Sequence, residues 1–212
     1  MDKSRQVVRR LLKVAGTTYA AEAGIRLDDK PMPLFQLLVL SMLASKPIDA
    51  TIAMRAAREL FKTGLRTPKA VLAAERSTMI SAFGRAHYVR YDESSATRLA
   101  DIAERVRDEF SGDLRELARR SDRDAQSAKR MLERFEGIGD TGADIYLREI
   151  QDVWTWVRPY FDDRATATAK QFGLPTDPAK LAALAPRNAS AELAAALVRA
   201  SLDEDVRRQV TG

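Results

Sequence analysis

The segment RFEGIGDTGADIYLREI (134–150) sets Gly137 and Gly139 on either side of Ile138, directly before residues with helical spacing. Glycine tolerates positive φ and lets another group approach the backbone closely. With a helix starting at once, such a turn presents free amides and the positive end of a helix dipole, which together suit a phosphate. The same two glycines also suit a plain connection between packed helices. A second stretch, GRAHYVRYDE (84–93), interleaves Arg85, His87, Tyr88, Arg90 and Tyr91. Arginine suits phosphates, and aromatic rings wedge into or stack on unpaired bases. Equally, the tyrosines can pack at an edge of the core while the arginines stay solvated. His87, the single histidine, is the one imidazole the chain offers for general-base chemistry, a role less expected than a place in this loop. Lastly, Asp162 and Asp163 precede RATATAKQFGLP, where either serves as an N-cap or first-turn acid.

Other chemistries are closed by composition. The 212 residues include no cysteine, which excludes a disulfide framework, a thiol nucleophile, a thiolate zinc site and a cysteine-held iron–sulfur cluster. One histidine makes a histidine metal site or a Ser–His–Asp triad a poor fit. Hydrophobic residues at 45% and charged residues at 31% describe a folding globular chain. The longest apolar run, PLFQLLVLSMLA (33–44), is too short to span a bilayer and suits a buried helix. MDKSRQVVRRLLKVAG lacks the continuous apolar stretch of a signal peptide, so a cytoplasmic protein is expected. The net charge of +5 favours a polyanionic partner.

The elements that must position these residues read as helices throughout. Ala, Leu, Arg and Glu recur at i, i+3, i+4 spacing and no strand-like cluster appears, so the fold class is all-α, with roughly a dozen short helices. Ser4 is expected to cap the first, with Val7, Val8, Leu11 and Leu12 inward. Helices follow over 34–45, from Asp49 to a stop at Gly64, from Thr67–Pro68, over 76–83 and from Asp92 to Phe110. Shorter ones cover 114–120, 123–135, 141–151, 163–172, 177–184 and 189–202. Trp154 and Trp156, two apart, cannot share one helix face. Met32, Met42, Met54 and Met79 are expected as core filler.

LERFEGIGDTGADIYL, YFDDRATATAKQFGLP and PLFQLLVLSMLASKPIDATIAMRAARELF, taken together, resemble the endonuclease III-like helix–hairpin–helix DNA glycosylase superfamily over most of 31–176. The resemblance implies a two-lobed helical fold. One lobe has six helices, about 31–130. The other combines 1–30 with 131–212 and carries the helix–hairpin–helix, about 124–151, and the catalytic aspartate. It implies a base-excision enzyme acting on double-stranded DNA, a monomer that does not enter membranes and is associated with the nucleoid when bound.

Residue by residue, the resemblance makes Gly137, Ile138, Gly139, Thr141 and Gly142 the phosphate-gripping hairpin, with a monovalent cation possible on its carbonyls. Asp162 takes the catalytic carboxylate position, with Asp163 as the alternative register. A carboxylate there stabilises the oxocarbenium character that builds on the sugar and activates water. Bifunctional members carry a lysine where Thr141 stands, and threonine forms no Schiff base, so base release without strand cleavage is expected. Leu43 stands where several relatives place a glutamine that fills the gap left by the flipped base. His87 or Tyr88 would insert into the duplex, with Arg85 and Arg90 adding attraction. No cofactor or iron–sulfur cluster is implied. Loss of activity on a retained scaffold, leaving a module that binds DNA structure or a protein partner, is the competing expectation.

Overall fold

A computed structural model describes residues 3–212. Among them are fourteen α-helices and no strand. In chain order they are α1 (Lys3–Ala15), α2 (Tyr19–Glu22), α3 (Pro31–Ala44), α4 (Ala50–Lys62), α5 (Pro68–Leu72), α6 (Arg76–Arg85) and α7 (Asp92–Phe110). Then come α8 (Arg115–Arg120), α9 (Ala125–Leu132), α10 (Gly139–Ile150), α11 (Asp163–Gln171), α12 (Pro178–Ala182), α13 (Ser190–Leu202) and α14 (Glu204–Thr211). The chain divides into two compact units. One is contiguous, Ala20–Tyr146; the other joins the residues up to Tyr19 with Leu147–Gly212. The division falls inside α10, so the Gly137–Gly139 turn belongs to the contiguous unit, whereas the sequence expectation drew the boundary near residue 130.

The contiguous unit is built around α3. Every residue from Pro33 to Leu43 is buried, including Gln36 and Ser41, so this helix is apolar on all sides. Ser41 stays satisfied by donating to its own helix, to the Leu37 carbonyl at 2.9 Å. Helices α4 and α7 pack on α3, and α6 and α5 pack on those in turn. Short side chains start the helices where expected. The Asp49 carboxylate accepts from the Thr51 amide at 2.7 Å, and the Thr67 hydroxyl from the Ala70 amide at 3.2 Å with Pro68 behind it. Gly64, at φ +90°, ends α4 in the left-handed conformation.

In the split unit, α13 is the centre and α1, α11 and α14 pack on it. Val8, Leu11 and Ala15 of α1 meet Leu193, Ala196, Leu197 and Ala200 of α13 in one apolar cluster. The alanines keep the α13 surface low and let the neighbouring helices approach.

Four expectations change. Ser4 lies inside α1, whose first described residue, Lys3, is already helical. Helix α6 runs through Gly84 to Arg85, because nothing there demands positive φ. The short α2 and the C-terminal α14 are additional; α14 has Asp203 as a clear cap, accepting from the amides of Asp205 and Val206. Met42, Met54 and Met79 are buried, but Met32 stands exposed in the first turn of α3.

Candidate functional site: a glycine hairpin and a capped aspartate

Helix α9 is started by Asp124, whose carboxylate accepts from the Ser127 amide at 2.7 Å. It ends at Leu132, and the chain turns through Glu133–Ile138 into α10. Phe135 anchors the turn by stacking on Phe110, ring centroids 5.6 Å apart, and Ile138 is buried beside it in sequence order. Gly137 and Gly139 both take left-handed φ, +86° and +53°. A side chain at Gly137 would also press on Arg98, at 3.2 Å. Gly142 is close-packed for a different reason: a Cβ there would lie 3.1 Å from Ile138 and 3.6 Å from the Ser41 carbonyl of α3. So conformation favours glycine at two positions and close approach favours it at the third.

The first intrahelical bond of α10 runs from the Gly142 amide to the Ile138 carbonyl at 2.9 Å. The preceding amides of Gly139, Asp140 and Thr141 form the open end of the helix. They border an open concavity of about 490 Å3 lined by Ser45 and residues 133–141. Thr141 is exposed at this mouth. Ser45 donates weakly to the Gly137 carbonyl, at 3.3 Å.

The electrostatics of the concavity are mixed. Glu133, Glu136 and Asp140 line it against Arg134. Arg98 holds Glu136 at 2.9 Å, while Lys129 reaches from α9 to Asp140 at 2.7 Å and to Asp144 at 2.6 Å. Burial of Lys129 works against its charge, but the two carboxylates outweigh it and hold the ammonium above its ordinary range. The acid nearest the helix N-terminus is therefore tied back by a neighbouring cation.

In the split unit, Asp162 is the N-cap of α11. One carboxylate oxygen accepts from the Ala165 amide at 2.8 Å, and the other accepts from the Arg148 guanidinium at 2.6 Å. Both side chains are buried, Arg148 at 3% and Asp162 at 9% exposure. Burial alone would lower the Arg148 pKa; Asp162, then Glu149, reverse that and raise it. The guanidinium also lies 5.4 Å from the Tyr19 ring centre, which Arg199 approaches at 4.9 Å. Asp163, by contrast, is exposed in the first turn. The cap is thus Asp162, and Asp163 has only the helix dipole to serve.

Gln151 positions this aspartate. Its side-chain amide donates to the carbonyls of Arg148 (3.0 Å) and Tyr160 (2.9 Å), and its oxygen accepts from the Tyr160 amide at 2.9 Å. The intervening residues are turns, not helix, and Trp154 and Trp156 stack at 5.2 Å. Next to them, Asp152 accepts from the Ala191 amide at 2.8 Å and pairs with Arg158 at 3.0 Å. Burial, helped by Asp152, pushes the nearby Glu192 carboxyl up.

Arg148, Gln151, Asp152 and Arg158 were not among the sequence candidates. The available signal is charge inside an apolar run, since all of 145–150 is buried although Arg148 and Glu149 sit in it. A buried charge needs a partner, and Asp162 supplies it.

Two expected duplex contacts are corrected. Leu43 is fully buried in α3, and Tyr88 is fully buried with its hydroxyl 3.4 Å from the Leu43 carbonyl and 3.2 Å from Ser95 Oγ. The reason is the turn after α6. His87 takes φ +59°, and the Tyr88 amide bonds back to the Phe83 carbonyl at 2.9 Å, which swings the tyrosine ring inward against Phe83. His87, Val89 and Arg90 remain exposed, with Arg90 over the Tyr91 ring at 5.3 Å, and Arg85 pairs with Glu59 at 3.0 Å. Burial pushes the Tyr88 phenol up to about 12, with Ser95 opposing. An unfolded tyrosine ionises near pH 10, so this group's contribution to stability should be intact below pH 10 and fall away as pH rises to about 12. Ultraviolet titration of a Tyr88→Phe variant should lose one tyrosinate's amplitude near pH 12 and keep the step near pH 10, burial holding Tyr146 well above the ordinary range as well; loss of amplitude near pH 10 instead would mean Tyr88 ionises with the exposed phenols.

Among the described residues no group of three or more His, Cys, Asp or Glu is disposed to hold a metal ion, and no helix is long and apolar enough to cross a membrane. The sequence matches no protein-family model and no curated protein.

Proposed function

We propose that this chain is a monofunctional DNA glycosylase of the helix–hairpin–helix type, which extrudes a damaged or mismatched nucleotide and hydrolyses its glycosidic bond. The observation that carries the reading is the hairpin: two left-handed glycines opening directly onto the amide end of a helix, with a concavity at that end. In the reaction water adds to the sugar C1′ as the C1′–N bond breaks, the base leaves with the bonding electrons and is protonated, and the water gives up a proton. Asp162 is the carboxylate that stabilises the cationic sugar and orients the water. Gln151 and Arg148 are positioning residues, holding the Tyr160–Asp162 segment and the carboxylate. Double-stranded DNA is the partner, bound by a monomer.

A second reading, a DNA-structure-binding or protein-interaction module on the same scaffold, draws on one observation. Both oxygens of Asp162 are engaged, one by a buried cation that compensates its charge. Duplexes carrying a panel of base lesions separate the two. The glycosylase should release at least one base and, with Thr141 in place of an amine, leave a strand that breaks only on heating in alkali. Duplex binding with no release across the panel selects the module; efficient borohydride trapping of a covalent adduct would overturn the monofunctional assignment.

A further inference from the structure

The chain has 35 Lys and Arg against 30 Asp and Glu. Helix α1 alone carries Lys3, Arg5, Arg9, Arg10 and Lys13, and no acid occurs from Lys3 to Ala21, so the rest of the chain holds thirty cations against thirty acids. All five cationic residues are exposed, and they run along about 15 Å of helix at 1.5 Å per residue. A duplex presents about nine phosphate charges over the same length. We propose that the exposed face of α1 is a contact for the phosphate backbone of duplex DNA, separate from the glycine hairpin.

The neighbouring helices leave this charge in place. On α14, Asp205 pairs with Arg208 of the same helix, and Arg207 donates to the carbonyls of Ala200 and Ser201 at 3.3 and 3.4 Å. Arg10 donates at 3.4 Å to the Val210 carbonyl, a neutral group, and Arg199 of α13 donates to the Thr17 carbonyl at 3.0 Å. A basic amphipathic helix also suits an anionic lipid surface, but that mode buries the apolar face in the membrane. Here Val8, Leu11 and Ala15 are already buried with α13, and Val7, Leu12 and Val14 pack against the same cluster. Only the charged face is available, which fits a regular polyanion without an apolar phase. The contact would read no sequence, since phosphates carry none.

The inference shares with the glycosylase reading only the choice of duplex DNA as partner. The full-length protein should be titrated with an undamaged 20-base-pair duplex over a range of salt concentrations. Changing Lys3, Arg5 and Lys13 together to Gln keeps good helix formers at exposed positions. It should make the slope of log K against log salt shallower by about 2–3, at about 0.9 per phosphate contact. Lys170→Gln, Lys180→Gln and Arg187→Gln, three exposed cations of the same unit, form the equal-charge control and should change the slope by less than about 1. An unchanged slope in the folded α1 variant, or an equal loss in the control, overturns the proposal. So does wild-type binding to phosphatidylserine vesicles without binding to the duplex. Absence of base release alongside an α1-dependent slope would sink the glycosylase reading alone.

Discussion

Arg148→Met should destabilise the protein by about 3–5 kcal/mol in urea or guanidinium unfolding, the usual cost of stranding one member of a buried ion pair. The substitution keeps much of the side-chain volume. What it removes is the cation 2.6 Å from Asp162, leaving a carboxylate at 9% exposure with only the Ala165 amide as a described donor. The exposed pairs, such as Arg76 with Glu93, should cost less than about 1 kcal/mol when broken, because water screens them. The double variant Arg148→Met, Asp162→Asn should recover part of the loss, since Asn caps a helix nearly as well as Asp, while buried Glu149, 4.0 Å from Arg148, still loses a cation. A loss below about 1 kcal/mol in the single variant would mean the pair is solvated in solution and not buried.

Asp162→Asn should slow base release by roughly 100- to 1,000-fold, about 3–4 kcal/mol, on whichever lesion the wild type processes. The amide keeps the cap to Ala165 but not the charge that, on the proposed glycosylase reading, stabilises the developing oxocarbenium. Single-turnover kinetics at saturating protein isolates that step from binding, and duplex affinity should hold or rise slightly because a negative charge has been removed. The variant leaves Arg148 buried without its anion, so the double variant above serves as a second, better-folded test and should be equally slow. Asp163→Asn, at an exposed position, should release base at close to the wild-type rate. Wild-type release from a folded Asp162 variant would remove this residue from the chemistry.

The helices were legible where local chemistry decides them. Asp49, Thr67, Asp124, Asp162 and Asp177 each precede a helix that they cap, and Pro68 and Pro178 stand just inside. The hairpin glycines were legible because positive φ has few residue types to choose from. Orientation was not. Whether Tyr88 faces water or the core depends on His87 adopting a left-handed conformation, an uncommon state for a residue with a Cβ that composition does not announce. Nor was the role of Arg148 legible, since its partner stands fourteen residues away beyond an irregular turn. Spacing rules see neighbours on a helix, not partners across a loop.

The split unit has a consequence for synthesis. Ala20–Tyr146 is one continuous stretch and can condense as it leaves the ribosome, but α1 has its packing partner α13 only after Ser190 has been made. At roughly 5–20 residues per second, Val8, Leu11 and Ala15 wait on the order of ten to thirty seconds with their apolar face uncovered. During that interval α1 is a nascent amphipathic segment open to chaperones. Its dense positive charge, with no acid between Asp2 and Glu22, discourages two such segments on neighbouring ribosomes from associating.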